Sequence, residues 1–266
     1  MSENWDALVL NDYEMVMPLT WKKKYSIYYL YQPFLTASLG VFGNHISSEK
    51  VKSFLENIPS KFKYWDFYLN RDNLFSLEKF PMYERNNYIL PLNNSYESLK
   101  VNYAKSHQRN IKRAVQFGNI VKKNLPIDEV IRLAKNQEKD FSKTKEKDYD
   151  NFFHLFEFLK EIKRAISYGV YSSQGKLVAS SAWIFSHQRA YYILVGNHPD
   201  GKTSGASHLM IDEFIKEHAG ENLTLDFEGS NTSGIAFFYK SFGALLEKYP
   251  GIKTNRLSSI AKLFRQ

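Results

Sequence analysis

The chain contains no cysteine among its 266 residues. Disulfides, thiolate metal sites and a cysteine nucleophile are therefore excluded. No stretch approaches the roughly 20 apolar residues of a membrane span. The N-terminal "MSENWDALVLNDYEMVMPL" carries acidic residues and no long apolar run, so it does not read as a signal peptide, and the expectation is a cytoplasmic protein. The seven histidines stand at 45, 107, 154, 187, 198, 208 and 218. None forms the i, i+4 pair with an intervening glutamate that marks a zinc hydrolase, so no catalytic metal is expected.

What is present is globular: 43% hydrophobic, 16% aromatic and 24% charged residues. The length suits one large domain or two intimately packed ones. Eighteen tyrosines and twenty phenylalanines supply an aromatic core and groove rather than a stacking platform for bases. A net charge of +8 permits an anionic partner, such as coenzyme A, tRNA, a phospholipid or a wall precursor, without choosing among them.

Strands are predicted over "DALVLND" and within "YEMVMPLTWKKKYSIYYLYQPF", with Lys22 to Lys24 at a turn. Ser47 and Ser48 cap a helix that Pro59 stops, and "FKYWDFYLN" and "NNYILPL" alternate as strands. Ser95 opens one long helix to Gly118, "NIVKKN" is a short strand, and helices follow over "PIDEVIRLAKNQEKDF" and "YDNFFHLFEFLKEIKRAI" after a charged linker. A hairpin turns at Gln174–Gly175, and "QRAYYILVGN" is the next strand. Ser204 caps the helix "SGASHLMIDEFIKEHA", whose inner face is Met210, Ile211, Phe214, Ile215 and His218. "NLTLDFEG" is a strand and "TSGIAFFYKSFG" a short helix.

One pattern occurs twice. A tyrosine-rich strand leads through a loop and a helix to a strand bearing an aspartate, first over 25–68 and then over 190–230. Tyr29 precedes Asp66 by 37 positions, and Tyr192 precedes Asp226 by 34. The reading is one β–loop–α–β unit used twice, with halves at 1–125 and 126–266. Only the second copy has a loop of small residues before its helix.

That loop, "NHPDGKTSGASHLM", feeds small residues into a helix N-terminus, where free N–H groups and the positive end of the dipole suit an anion. Lys202 adds a charge; an ordinary capped turn has the same composition. Asp226 and Glu228 are expected on one strand face with Phe227 on the other. Tyr239 is placed to give a proton to a leaving group and Lys240 to neutralise negative charge. Phe237, Phe238 and Phe242 read as core.

These residues resemble the GNAT acyltransferase superfamily. Its cofactor loop is matched by "KTSGAS", Lys202 to Ser207, and its later motif by Asn231, Ala236, Tyr239 and Gly243. The resemblance implies an α/β fold with a mixed sheet flanked by helices and splayed between its fourth and fifth strands. Acetyl-CoA or another acyl-CoA would lie in the split, its diphosphate on the amides of Ser204, Gly205, Ala206 and Ser207. Val195 and Gly196 would bond the pantetheine arm, and Tyr239 would protonate the thiolate.

A closer resemblance is to the Fem-like branch, the peptidoglycan-bridge aminoacyltransferases and their relatives, which join two GNAT-like halves. "YAKSHQRNIKRA" is similar to that branch's helix through Ser106, Arg109, Asn110, Arg113 and Ala114, and "LDFEGS…GIAFFYKSFGA" to its later signature. It implies that Arg109 and Arg113 bind acceptor, donor or the neighbouring half, and that Lys240 meets a phosphate or the reacting carboxyl of an activated substrate. In that helix Ile111, Ala114 and Val115 read as the buried stripe. The chain is short for the branch and shows no helical arm for tRNA.

The first expectation is an N-acyltransferase that moves an acyl group from acyl-CoA to an unidentified amine. The amine approaches between the halves and is deprotonated through water by Asp226 or Glu228, with donor chemistry in the second half. The alternatives are an aminoacyltransferase drawing on charged tRNA, which is not favoured, and a non-catalytic protein that binds an anion or RNA. Oligomeric state is left open.

Overall fold

A computed structural model describes residues 2–138, 144–229 and 231–257. In chain order the elements are β1 (Trp5–Leu10), β2 (Met15–Lys24), β3 (Ile27–Tyr31), β4 (Phe42–Gly43), α1 (Ser48–Glu56), β5 (Phe62–Tyr68) and β6 (Met82–Pro91). There follow α2 (Tyr96–Val101), α3 (Lys105–Gln116), β7 (Ile120–Lys123), α4 (Ile127–Glu138) and α5 (Glu146–Glu161). The last are β8 (Ala165–Tyr171), β9 (Leu177–Ser186), β10 (Arg189–Asn197), α6 (Pro199–Ser204), α7 (Ala206–His218), β11 (Thr224–Asp226), α8 (Ser233–Lys240) and β12 (Leu245–Asn255).

The chain forms two compact units, Met1–Asn86 with Glu247–Gln266, and Asn87–Leu246. The boundary expected at 125/126 falls between β7 and α4, within the second unit. In the first unit the strands run β1-β2-β3-β5-β12, with β4 beside β2. Their inner face packs Met15, Met17, Leu19, Leu30, Phe62, Trp65 and Phe67 against Val51, Phe54 and Leu55 of α1. The lysines 22 to 24 finish β2; the turn is Tyr25–Ser26, both left-handed with φ of 48° and 64°. Two successive residues in that region make the hairpin turn that follows the twist of the strands.

In the second unit the order is β6-β11-β10-β9-β8-β7. Strands β7 to β10 are antiparallel neighbours, β10 and β11 are parallel, and β6 returns antiparallel to β11. The parallel step needs a crossover, which α7 provides. Met210, Ile211, Phe214 and Ile215 of α7 are fully buried, as their spacing predicts. Phe214 lies flat on Trp183 of β9, with centroids 3.8 Å apart and planes 3° from parallel.

The repeat is real in backbone terms. β3 and β5 are parallel, as are β10 and β11, and each aspartate sits opposite a tyrosine: Tyr31 faces Asp66 and Tyr191 faces Asp226. Both pairs are 35 positions apart, a closer match than the tyrosines the sequence suggested.

Three helix expectations are corrected. The stretch 95–118 is two helices, because Asn102 ends α2, Tyr103 turns into the core against Phe242, and the Ala104 amide donates to Ser241 O. α5 starts earlier than expected, at Glu146, with Asp148 accepting from the Lys145 amide, and it ends at Glu161 before β8. Ser204 does not cap α7. Pro199 opens the additional helix α6, capped by His198, and Gly205 in the left-handed region (φ 82°) joins it to α7. Residues 139–141 of the expected "KDF" helix end lie outside the described residues.

Replacing Phe214 with alanine removes the ring stacked on Trp183 and leaves a cavity the sheet cannot collapse. A loss of about 3–5 kcal/mol is expected in urea unfolding. A loss below 1 kcal/mol would show that this stack is not central to the second core.

Candidate active site at a split between two strands

Counted from β7, β10 is the fourth strand of the second unit and β11 the fifth. Their pairing is three residues long, Arg189–Tyr191 with Thr224–Asp226. β10 then continues to Asn197, while β11 stops at Asp226. β10 also slips against β9: Tyr192 faces Trp183 but Val195 faces Ser181, so one extra residue is accommodated. Such a bulge bends the strand and re-aims its edge. The sheet is thus splayed where the resemblance places a donor.

Four polar groups close the paired end. Asp226 is 3% exposed. Arg189 Nη1 donates to its Oδ2 at 2.5 Å, and Asn87 Nδ2 and the Glu228 amide donate to Oδ1, each at 2.9 Å. The strand ends here because Glu228 takes a left-handed conformation (φ 61°). Asp226 and Glu228 therefore do not alternate along a strand as expected; a tight turn brings the Glu228 amide back onto the aspartate.

Glu228 Oε1 is buried with no hydrogen-bond partner among the described residues. Burial pushes both carboxyls up. In Asp226 the push is opposed by Arg189, Asn87 and the Glu228 amide, whereas in Glu228 it is reinforced by the charge of Asp226. Of the two, Glu228 is the carboxyl pushed further toward its protonated form, although the Arg189 charge opposes the push.

The Tyr239 ring stacks on Phe227 at 4.5 Å and lies 6.3 Å from the Tyr88 ring. Its hydroxyl is driven well above the ordinary tyrosine range by burial and by Glu228. Tyr192, 4% exposed on β10, is raised by burial and by Tyr239. Lys240 is exposed, with Nζ 5.5 Å from the Tyr88 ring centroid. The structure thus gathers Asp226, Glu228 and Tyr239 with Phe227 and Tyr192, and adds Arg189, Asn87 and Tyr88, which sequence reasoning did not single out. No local motif marks Arg189 or Asn87; only the strand pairing brings them to Asp226.

Val195 and Gly196 lie on β10 beyond the bulge. Gly196 is buried against α4, where a Cβ would meet the Ala134 amide nitrogen at 2.6 Å. The Asn197 amide donates to Gln137 Oε1 at 2.6 Å. Lys202 and Ser204 belong to α6, with Lys202 exposed and Ser204 buried, its Oγ accepting from Asn119 Nδ2. Gly205 and Ala206 are buried too. A Cβ on Gly205 would come within 2.6 Å of the Asn110 carbonyl of α3, so close packing of α3 requires this glycine. Ser207 is half-buried and donates to Asn197 Oδ1.

Asn231 is exposed before α8. Arg109 and Arg113 are exposed on α3, whose buried residues are His107, Ile111 and Ala114; Val115 is 59% exposed, not part of the stripe. Phe242 is core, but Phe237 is 63% exposed, because α8 offers only one side to the unit. Among the described residues, no group of three metal-ligating side chains occurs and no helix is long and apolar enough to cross a membrane.

A bulged fourth strand splayed from a parallel fifth, crossed by a helix and followed by a short helix bearing a tyrosine, defines an acyltransferase-type α/β fold. The Acetyltransferase (GNAT) domain family matches residues 102–241, and the chain belongs to that family. No curated protein matches in sequence. Among solved structures the chain resembles FemX (14% identity, 99% of this chain and 91% of that one, TM-score 0.67). It also resembles L-PGS from Bacillus licheniformis (12%, 97% and 86%, TM-score 0.61) and a GCN5-related N-acetyltransferase from Kribbella flavida (11%, 97% and 92%, TM-score 0.54). The fold is that of the Fem-like branch.

The raised Glu228 carboxyl has a consequence for stability. The native state keeps a proton that the unfolded chain releases above the ordinary 4.5. The contribution of this group is therefore complete below pH 4.5 and declines as pH rises toward the native value. Glu228→Gln lacks that decline, so its stability relative to the parent should improve steadily from pH 4.5 upward in urea titrations. A difference independent of pH would mean that Glu228 is ionised in the native state.

Proposed function

We propose that the chain transfers an aminoacyl group from an ester donor to an amine, at the mouth of the split beside Tyr239, with donor chemistry confined to the second of the repeated crossovers. The observation that carries this reading is the covered N-terminus of α7. Members of the GNAT family use acyl-CoA, and a diphosphate would need the amides around Gly205 and Ala206. Here both residues are buried, with α3 packed on Gly205. A donor carried by charged tRNA, whose ester needs no diphosphate cradle, meets no such obstacle.

Proton matching supports the same choice. A thiol loses its proton near pH 8.5, so a thiolate is a poor base for a tyrosine raised as far as Tyr239. The alkoxide expelled from an ester is far more basic and suits that tyrosine. In the reaction the amine lone pair forms the C–N bond and the ester C–O bond breaks. The Tyr239 hydroxyl protonates the departing oxygen, and the phenolate recovers a proton from the acylated nitrogen. Lys240 and the exposed Arg109 and Arg113 are available to phosphates of the donor.

A second reading keeps acyl-CoA as donor. The edge of β10 beyond Tyr191, unpaired with β11, favours it, because a pantetheine arm could extend the ladder there.

Hydroxylamine as a generic amine separates these readings. The expected result is formation of aminoacyl hydroxamate from bulk charged tRNA, reduced about 100-fold or more in Tyr239→Phe. Thiol release from acetyl-CoA, measured free of background in a chain without cysteine, would instead establish the second reading. Neither product would overturn the transferase assignment.

A further inference from the structure

α8 carries Tyr239 yet has no buried residue of its own. Ala236, Phe238 and Tyr239 pack on the core of the unit, and beneath Phe238 lies a pair of histidines. His107 of α3 is 3% exposed, and its ring meets that of His208 of α7 edge to face at 4.5 Å. His107 Nε2 bonds the carbonyl of Phe238, the residue before Tyr239, at 3.0 Å. The Phe238 ring lies 5.2 Å from His107 and 4.9 Å from His208, and Phe242 lies 4.6 Å from His107. His107 Nδ1 is buried with no partner among the described residues, and His208 Nε2 meets Asn110 Nδ2 at 3.1 Å.

We infer that His107 positions Tyr239, acting through the Phe238 carbonyl, and that the two imidazoles hold α8 in place only while both are neutral. With Nε2 as donor to Phe238, the Nδ1 of a neutral His107 carries a lone pair and needs no acceptor. A second proton there would be a buried N–H with nothing to receive it, facing another imidazole and phenylalanine rings.

The charged and titratable neighbours do not relieve this. On α3, Lys105, Arg109 and Arg113 are exposed cations. On α7, Asp212 is one turn beyond His208, and both its oxygens accept from the Tyr96 hydroxyl of α2. Tyr103, before α3, is neutral and raised far above its ordinary range by burial. On α8, Tyr239 turns to Phe227 and Lys240 to Tyr88. Burial accordingly pushes both histidines down from 6.5, and His208, with His107 beside it, to about 4. Because the native values are depressed, the contribution of the pair is complete above pH 6.5 and is lost as pH falls toward 4. The cheapest accommodation of a proton is release of α8, which frees the Phe238 carbonyl and carries Tyr239 off Phe227.

The positioning role rests on the transferase reading; the holding of α8 does not, and two readouts separate them. Hydrogen exchange of the intact protein should show protection over Ser233–Lys240 falling between pH 7 and 5, while α7 and β9 stay protected. At pH 7.5, His107→Leu should lower protection of α8 about 10-fold, as expected for one lost hydrogen bond. His107→Gln, whose amide reaches the same carbonyl, should restore it. Hydroxamate formation should follow the same order, and its acid limb should flatten in His107→Gln/His208→Gln. Protection of α8 that does not change with pH, or that falls together with α7 and β9, would overturn the inference. So would an acid limb that persists in the double variant. Loss of protection without turnover from any donor would leave the histidine role standing and remove the transferase reading.

Discussion

Three backbone pairs between β10 and β11 are what the geometry of the candidate site depends on. Longer pairing would close the sheet and leave no space beside Tyr239; no pairing would leave Asp226 without its partners. The length is set by two local events. The bulge after Tyr192 turns β10 outward, and the left-handed Glu228 ends β11 by folding its amide onto Asp226. A non-glycine residue in that region is disfavoured, and the ion pair of Asp226 with Arg189 lies at the same corner, where burial makes each partner necessary to the other.

The first copy of the crossover shows what happens without these events. Asp66 occupies the same place opposite Tyr31, but it accepts from the Tyr64 hydroxyl and pairs with Lys253 at 3.0 Å, and its strand continues to Tyr68. β12 then pairs along it from Gly251 to Asn255. The same unit with its strand completed pairs on both edges; with its strand cut short, it buries its aspartate and leaves an edge of β10 unpaired with β11.

Much of this was legible in the sequence, for identifiable reasons. Strands and the α7 face were readable because alternation and 3.6-residue spacing report burial directly, and the repeat because a tyrosine-rich strand precedes an aspartate-bearing one by nearly the same distance twice; the tyrosines that pair were found only by the strand register. The expected single helix over 95–118 failed because helical propensity does not register the tertiary bond from Ala104 to Ser241. The helix α6 escaped notice although Pro199 at its first position is a start signal; its glycine and serines read as a loop. Tyr239, Asp226 and Glu228 were named from the sequence, the tyrosine by its place in a short helix and the carboxyls by strand alternation, and the structure brings them together. Arg189, Asn87 and the histidine pair were not named, since they are contacts between segments 37 to 139 positions apart and carry no local pattern.

The packing of α3 links these features. Its inner residues reach two places at once: Asn110 lies on Gly205, where the dipole of α7 would otherwise meet an anion, and His107 lies under α8. One helix therefore packs both against the residue that opens α7 and beneath the helix that carries Tyr239. A Cβ on Gly205 would meet the Asn110 carbonyl at 2.6 Å, so α3 lies close against the residue that opens α7. On the proposed aminoacyl-ester reading, the donor is held by a part of itself other than a diphosphate arm. The exposed basic face of the same helix, with Arg109 and Arg113, is suited to that part of a polyanionic donor.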